Sequence, residues 1–347
     1  MDDANSNSGA GCEASPLRPD ITPSAIVRYL DQYVIGQDEA KKTMAVAVYA
    51  HYRKVGPARA EAATTTKSNV LMVGPTGTGK TLMCETLSRA IDVPFVTADA
   101  PSLAQTQYVG DEIEAMLERL VDRADGDVLR ARRGIIFIDE VDKLKAVGGQ
   151  GRGVSGEAVQ NALLKIMEGA PVKLRDGRYI DTTDVLFICG GAFVGLDQIL
   201  TRTHSFGFIA TSDGENQRIL DRLNARVKPT DLFEFGLIPE FAGRLPVVAR
   251  LGDLSREMLM RILAEPRDAI YRQFRELFRA EGVDLVVEPQ VIGQIADLAI
   301  EYKIGARSLR GIFEEMITPA LYVVPDRKDI RRVVFRSLFE DADFVCG

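Results

Sequence analysis

The sequence contains no tryptophan, two histidines and four cysteines, and these shortages exclude several kinds of functional site. The cysteines are Cys12, Cys84, Cys189 and Cys346. They are far apart and form no C-x-x-C pair, which argues against a disulfide framework or a zinc module and fits a reducing compartment. With so few histidines, metal sites and catalytic triads that depend on imidazole are nearly excluded.

Long apolar runs and an excess of basic residues are also missing. No stretch approaches the ~20 apolar residues that a membrane-spanning helix needs, and residues 1–20 lack the charged-then-apolar order of a signal peptide. The formal net charge is −7, so the chain has no basic footprint for nucleic acid. We therefore expect a cytoplasmic protein with no membrane or nucleic-acid partner, whose residues 1–20 form a disordered tail.

Between residues 69 and 192, short apolar strands alternate with helical patterns. Strands are predicted at Val70–Val73, Phe95–Ala98, Gly134–Asp139 and Val185–Cys189. Because these strands are almost continuously apolar, we expect them to be buried on both faces of a parallel sheet flanked by helices.

After residue 251 the pattern is mainly helical. Helices are predicted within Arg256–Glu281, Pro289–Tyr302 and Ser308–Val323, followed by one strand at Arg332–Phe335. The chain has 347 residues, more than one ordinary core accommodates. We therefore predict a larger α/β domain at 21–250 and a smaller, mainly helical domain at 251–347.

One stretch matches the phosphate-binding pattern G-x-x-x-x-G-K-[ST] in full. It consists of Gly74, Pro75, Thr76, Gly77, Thr78, Gly79, Lys80 and Thr81. A predicted strand precedes it and a helical pattern starting at Leu82 follows, which is the context that a P-loop requires. Backbone amides of such a loop bind phosphate, Lys80 is expected to reach the β- and γ-phosphates, and Thr81 to ligate Mg²⁺. We predict a nucleoside triphosphate site at these residues and Leu82.

A second signature lies about sixty residues further on, where an apolar strand ends in Asp139 and Glu140. A buried parallel strand delivers such carboxylates to the edge of the sheet where ligands of α/β folds bind. Asp139 is expected to hold Mg²⁺, and Glu140 to orient and polarise the attacking water. The alternative is a solvated acidic turn, and the P-loop upstream favours the catalytic interpretation.

Further motifs follow one another from about Ile21 to the C-terminus. In chain order they are Tyr33-Val-Ile-Gly-Gln, the P-loop, Tyr108-Val-Gly, Ile138-Asp-Glu, Val154-Ser-Gly-Glu, Leu186-Phe-Ile-Cys-Gly-Gly-Ala-Phe, Gly236-Leu-Ile-Pro-Glu-Phe-Ala-Gly-Arg-Leu-Pro and Gly305-Ala-Arg. In this order they resemble the ClpX family of protein-unfolding ATPases in the AAA+ superfamily. The resemblance implies an AAA+ P-loop NTPase that uses ATP and Mg²⁺, assembles as a homohexamer, and threads unfolded or tagged proteins through an axial pore into a ClpP-like peptidase.

The resemblance also implies roles for residues around the nucleotide. Val34 and Ile35 would lie against the adenine, although both also suit an ordinary core. Arg244 would act as an arginine finger on the nucleotide of a neighbouring subunit, the alternative being an interfacial salt bridge. Arg307 would contact the nucleotide of its own subunit; an anionic partner also explains a cation at a helix N-terminus.

Two further segments would contact polypeptides. Tyr108, Val109 and Gly110 resemble a pore loop that grips substrate. Phe206, Gly207 and Phe208 fall where the family carries its peptidase-docking loop. The first position is usually aliphatic there, and a loop folded back on its own core is the alternative.

Several departures from the family keep other functions open. Only Cys12 precedes the core, so the family's N-terminal zinc-binding domain is expected to be missing, and two of the pore loops look shortened. A remodelling chaperone without a peptidase is the main alternative. A nucleic-acid AAA+ machine is less consistent with the acidic balance of the chain. A nucleotide-binding regulator without catalysis is less consistent with the combined presence of five residues, which are Lys80, Asp139, Glu140, Arg244 and Arg307.

Overall fold

The computed structural model describes residues 21–55, 69–105, 109–145, 155–204 and 227–347. The predicted substrate-gripping Tyr108 and the predicted docking residues Phe206, Gly207 and Phe208 lie outside these ranges. Their roles therefore stay predictions.

Helices surround two sheets and a hairpin within the described ranges. The helices are α1 (Pro23–Leu30), α2 (Asp38–Val55), α3 (Lys80–Ile91), α4 (Ala100–Gln105), α5 (Val109–Arg123), α6 (Val128–Ala131), α7 (Gly156–Glu168), α8 (Leu196–His204), α9 (Pro229–Phe235), α10 (Pro239–Gly243), α11 (Arg256–Ala264), α12 (Ile270–Ala280), α13 (Pro289–Glu301) and α14 (Arg307–Val323). The strands are β1 (Val70–Val73), β2 (Phe95–Asp99), β3 (Ile135–Asp139), β4 (Pro171–Lys173), β5 (Tyr179–Asp181), β6 (Leu186–Gly191), β7 (Val247–Arg250), β8 (Asp284–Val287), β9 (Ile330–Phe335) and β10 (Asp343–Cys346).

The larger sheet is parallel, with the strand order β2-β3-β6-β1-β7. This confirms the predicted parallel sheet, and each of its four predicted strands matches an observed one within a few residues. The fifth strand, β7, was not predicted. It is only partly buried and follows a long excursion of the chain, so its sequence carries a weaker apolar signal than the central strands.

Residues of the central strands alternate between two apolar layers. Leu71 and Ile136 face a core that includes side chains of α5 and α7. Met72 and Phe137 face the opposite core, which includes side chains of α1, α2 and α3. Both faces of the sheet are therefore covered, and the ends of the strands are the positions left for a ligand.

The C-terminal unit (residues 254–344) has its own apolar core. Its sheet has the order β10-β9-β8, with β8 parallel and β10 antiparallel to β9. The prediction of a single strand here was wrong, because β8 and β10 are short and β10 is mostly exposed. The predicted helical stretch Arg256–Glu281 forms two helices, separated around Pro266, which lacks an N–H for a continuing helix.

The turn after α1 connects the C-terminal unit to the sheet domain. Gln37 donates a hydrogen bond from Nε2 to the carbonyl of Gly252 and accepts one at Oε1 from the Gly252 amide, both at 2.9 Å. The amide of Arg267 donates to the carbonyl of Gln32 at 2.9 Å. The C-terminal unit thus has a separate core and is joined to the sheet domain by these contacts. The domain boundary near residue 251 stays a prediction.

We expect Phe313→Ala to lower the free energy of unfolding by about 3–5 kcal/mol, because it leaves a cavity in the C-terminal core. Phe313 is fully buried and its ring centroid lies 5.5 Å from that of Phe274. Tyr322→Ala is the matched control on the same helix, since Tyr322 is 82% exposed, and it should change stability by less than about 0.5 kcal/mol. Urea unfolding followed by far-UV circular dichroism measures both, and equal losses would contradict the assigned core.

Candidate functional site

The P-loop connects β1 to α3 at the carboxyl edge of the sheet. The amide of Gly74 donates to the carbonyl of Gly191 at the end of β6, at 3.1 Å. Gly77 and Gly79 have φ values of 81° and 94°, a region that glycine adopts at no steric cost. The Thr78 hydroxyl donates to the carbonyl of Pro75 at 2.8 Å. The loop is therefore held in a tight turn that ends at the N-terminus of α3.

Lys80 is only 7% exposed and lies inside the turn of the loop. Its ammonium donates to the carbonyls of Gly74, at 2.6 Å, and Pro75, at 2.9 Å. Burial lowers the pKa of Lys80; the charge of Asp139 opposes this effect, and that of Arg307 adds to it. A buried cation of this kind is stabilised by an anionic ligand, as a phosphate-binding role requires.

The strand β3 ends in Asp139, and Glu140 follows it in a strained conformation. Glu140 has a φ of 58°, and its amide donates to Oδ1 of Asp139 at 2.9 Å. A residue other than glycine in this region costs about 1–3 kcal/mol, and such strain is concentrated at functional sites. The geometry thus fits the predicted division of roles between the two carboxylates.

An open cleft of about 420 Å³ joins the P-loop helix to this acidic edge. Its lining residues are Thr81, Thr97, Ala98, Asp99, Ser102, Leu103, Glu112, Arg119, Phe137, Asp139, Glu140 and Arg307. We call it the nucleotide cleft. Of the predicted site residues, the structure brings Thr81, Asp139, Glu140 and Arg307 together here.

The nucleotide cleft offers oxygen donors suited to Mg²⁺. The hydroxyl of Thr81 and the carboxylate of Asp139 both line it, and hard cations prefer such ligands. Within the described ranges no group of three or more His, Cys, Asp or Glu side chains is arranged to hold a metal. Magnesium is commonly bound by one or two carboxylates with phosphate oxygens and water, so the residues present fit this ion.

Sequence reasoning missed several residues of the nucleotide cleft. Asp99 ends β2 beside Asp139 in register, and its position at a strand end was a signal that could have identified it. Glu112 and Arg119 extend from α5. No local motif marks them, because helix packing alone brings them to the cleft.

The Gly305-Ala-Arg motif packs directly against the P-loop. The amide of Ala306 donates to the carbonyl of Gly77 at 3.2 Å. A methyl group added at Gly77 would lie 2.3 Å from the carbonyl oxygen of Ile304. This close approach places Arg307, at the start of α14, in the nucleotide cleft, where its guanidinium has no ion-pair partner among the described residues.

Val34 and Ile35 are buried, at 4% and 7% exposure, in the turn between α1 and α2. Val34 belongs to the core on the α2 side of the sheet. Next to them, a Cβ at Gly36 would be 2.3 Å from the terminal methyl of Met258 in the C-terminal unit. Their burial fits both an adenine contact and an ordinary place in the core, so the adenine contact stays a prediction.

Arg244 is not among the residues that line the nucleotide cleft of its own chain. It directly follows α10, and its guanidinium donates to Oε1 of Glu168, at the end of α7, at 2.5 Å. Both side chains are partly exposed, so the pair is weakly held and the guanidinium is accessible to another ligand.

The predicted pore-loop residues Val109 and Gly110 form the first turn of α5. Gly110 is exposed, whereas Val109 is 9% exposed and belongs to the core on the face of the sheet that α5 and α7 cover. Val109 is therefore unavailable to a substrate in this conformation, and of the two only Gly110 lies at the surface. The hydrophobic spacing of α5 explains this, because Val109 is one turn before Ile113 on the same helix face.

Two family models match successive parts of the chain. The family model described as AAA domain (Cdc48 subfamily) matches residues 65–248, more than half of the chain. The model described as the C-terminal, D2-small domain of ClpB protein matches residues 254–333.

Within the described ranges, no helix combines the length and apolar character needed to cross a membrane.

Curated relatives cover almost the whole chain. The ATP-dependent Clp protease ATP-binding subunit ClpX 3 of Methylococcus capsulatus is 45% identical over 94% of this chain and 80% of its own length. The corresponding ClpX subunit of Treponema denticola is 44% identical over 91% of this chain and 80% of its own length. That of Borrelia duttonii is 44% identical over 90% and 77%.

We expect Gly77→Ala to raise the Kd for ADP at least about tenfold, equivalent to ~1.4 kcal/mol. The added methyl would collide with the Ile304 carbonyl and displace the P-loop or the turn that carries Arg307. Gly126→Ala is the matched control, because Gly126 has nearly the same φ, +82° against +81°, but open space around it. Both variants carry the same strain of a positive φ, so titration with a fluorescent ADP analogue isolates the effect of the collision on affinity. Equal affinities would contradict the assigned loop contact.

Proposed function

Because the chain belongs to the ClpX family of AAA ATPases, we propose that it is the motor of an ATP-dependent protease: a ring homohexamer that unfolds proteins and threads them through an axial pore. The chain is an ATPase, and the relatives named above are ATP-binding subunits of the ATP-dependent Clp protease. The observation that carries the proposal is the nucleotide cleft, where Thr81, Asp139, Glu140 and Arg307 meet beside the P-loop.

The P-loop and the nucleotide cleft together supply the groups for phosphoryl transfer to water. Lys80 and the amides of the P-loop bind the phosphates, and Glu140 accepts a proton from the attacking water. Thr81 and Asp139 would hold Mg²⁺, which neutralises charge on the β- and γ-phosphates when bound. The left-handed backbone at Glu140 turns its side chain away from the line of the strand, and the side chain lines the cleft.

Arg244 is proposed to complete the site of a neighbouring subunit. Its position outside its own nucleotide cleft supports this, as does the partly exposed pair with Glu168, which an anionic phosphate can replace. An arginine supplied in this way stabilises the charge of the transition state and is worth about 10³–10⁵ in turnover. Assembly into a ring would then be a condition for hydrolysis.

Two contacts support a coupling between hydrolysis and movement. The Gly77–Ala306 hydrogen bond joins the P-loop to the C-terminal unit, so a change at the phosphates can shift that unit. Glu112 and Arg119 line the nucleotide cleft from α5, which begins directly after Tyr108. A displacement of α5 would therefore move the proposed pore loop.

A remodelling chaperone without a peptidase is the second candidate. The Phe206-Gly207-Phe208 sequence motivates it, because the first position departs from the usual aliphatic residue. The relatives are subunits of the ATP-dependent Clp protease, which favours the protease motor. Adding a ClpP-like peptidase to the unfolding assay below distinguishes the two.

Mixing two inactive variants tests the role of Arg244. Glu140→Gln should bind ATP but turn it over at least about 100-fold more slowly, and Arg244→Ala should lose about 10³-fold. Co-assembled, the Arg244→Ala subunit retains its own Glu140 and receives Arg244 from its Glu140→Gln neighbour. We therefore expect steady-state ATP turnover well above that of either variant alone.

The control mixture combines Arg244→Ala with the double variant Glu140→Gln/Arg244→Ala. It offers no intact pair across any interface and should stay inactive. Capture through an affinity tag on one variant shows whether the rings are mixed. If the rings are mixed and activity does not recover, Arg244 acts within its own subunit or has no role in hydrolysis.

The unfolding proposal is tested with a tagged fluorescent reporter protein, by following loss of native fluorescence with ATP. Tyr108→Ala should abolish unfolding and leave basal ATP turnover within about threefold, because the pore loop contacts polypeptide rather than nucleotide. Tyr322→Ala, an equally drastic change at an exposed tyrosine, should preserve both. ATP hydrolysis with no response to any polypeptide would contradict the unfoldase. Degradation with added peptidase, lost on deletion of Phe206–Phe208, would exclude the chaperone alternative.

A further inference from the structure

Asp142 is a buried carboxylate to which the mechanism above gives no role. It lies in the short 3₁₀ turn Val141–Lys143 directly after Glu140 and is 4% exposed. Its Oδ2 accepts a hydrogen bond from the amide of Phe193 at 3.4 Å. Its Oδ1 is buried and has no hydrogen-bond partner in the described part of the chain. Leaving a buried carboxyl oxygen unpaired costs stability, so the residue calls for a functional explanation.

Strained backbone lies on both sides of Asp142. Glu140, two residues before it, has a φ of 58°, and Phe193, whose amide it binds, has a φ of 50°. A bulky residue such as phenylalanine rarely adopts this region, and each such residue costs about 1–3 kcal/mol unless its surroundings impose it. The carboxylate of Asp142 connects the turn that follows β3 to the turn that follows β6.

Asp142 also reaches the start of the P-loop through one intermediate residue. A Cβ added at Gly191 would be 2.4 Å from Oδ1 of Asp142, so the carboxylate lies against the backbone of Gly191. The carbonyl of Gly191 accepts the hydrogen bond from Gly74, the first residue of the P-loop. A shift of Asp142 would therefore displace both the turn after β3 and the start of the P-loop.

Aromatic packing holds Phe193, the residue whose amide donates to Asp142. The rings of Phe193 and Phe235 have centroids 5.0 Å apart, and the ammonium of Lys145 lies 3.7 Å from the Phe235 ring centroid. The Phe193 side chain is held in place, so its amide is a fixed donor for Asp142. Lys143 contributes little, because its ammonium is 4.0 Å from Oδ2 and well exposed.

We propose that Asp142 is a positioning residue for ATP hydrolysis, which holds the turns after β3 and β6 together and thereby keeps the Glu140 carboxylate directed into the nucleotide cleft. The inference rests on the role proposed for Glu140. It predicts a selective loss of turnover, because ADP binding depends on the P-loop whereas water activation depends on the orientation of Glu140. Misplacing a reacting group by about 1 Å costs on the order of 100-fold in rate.

The test compares Asp142→Ala with Asp142→Asn in the full chain. Asp142→Ala removes the acceptor for the Phe193 amide and should lower kcat for ATP about 10- to 100-fold, with the Kd for ADP changed by less than about threefold. Asp142→Asn keeps the shape and one acceptor oxygen and should restore kcat to within about threefold of the parent.

Asp231→Ala is the matched control for a purely structural effect. Asp231 is also buried, its Oδ2 accepts a backbone hydrogen bond at 2.7 Å, and its Oδ1 is unpartnered among the described residues. Asp231 belongs to α9 and not to the nucleotide cleft. Asp231→Ala should therefore lower the melting temperature without a loss of kcat that exceeds its loss of ADP affinity.

Three results would overturn the proposal. These are a folded Asp142→Ala variant with kcat near that of the parent, a parallel loss of kcat and ADP binding, or failure of Asp142→Asn to restore turnover. The assay uses ATP turnover alone, so failure of protein unfolding does not affect it. If Glu140→Gln hydrolyses ATP at the parental rate, the role of Glu140 fails, and the Asp142 inference is rejected with it.

Discussion

The parallel pairing of β1, β3 and β6 is the constraint on which the rest of the structure depends. Because the strands run in one direction and in register, their carboxyl ends place Gly74, Asp139 and Gly191 at a single edge. Apolar layers cover both faces of the sheet, so the strands cannot move independently. The P-loop and the carboxylates at the end of β3 are thereby held on one rigid support, as electrostatic preorganisation requires.

Strained and buried groups are concentrated at this edge of the sheet. Among the residues that the structure describes, Lys80 has only carbonyl partners and Asp142 keeps an unpaired oxygen. Glu140 and Phe193 adopt left-handed backbone. Each of these features costs stability, and each lies within or beside the nucleotide cleft. The surrounding cores are large enough to impose them. The Gly77–Ala306 hydrogen bond joins this edge to the C-terminal unit.

Much of the fold and part of the site could be predicted because the relevant signals are local. The P-loop is contiguous, and the strand before Asp139 and Glu140 is apolar throughout, so both were found and both meet in the structure. The strands β7, β8 and β10 were missed because they are short or partly exposed, and their pairing depends on distant segments. The burial of Val109 shows the same limit, since a motif match did not reveal which face of α5 packs on the core.

The sequence by itself determined that this chain has a P-loop and therefore a nucleotide site, because a P-loop functions through its own backbone and needs only a strand before it and a helix after it. It also predicts which residues contact the phosphates. Only the tertiary structure decided which other groups share the cleft. Arg119 and Glu112 come from α5 and Arg307 from the C-terminal unit, far apart in the chain. Asp142 gains its significance only through contact with the turn after β6. Such proximities arise from packing between elements, which no local pattern of residues encodes.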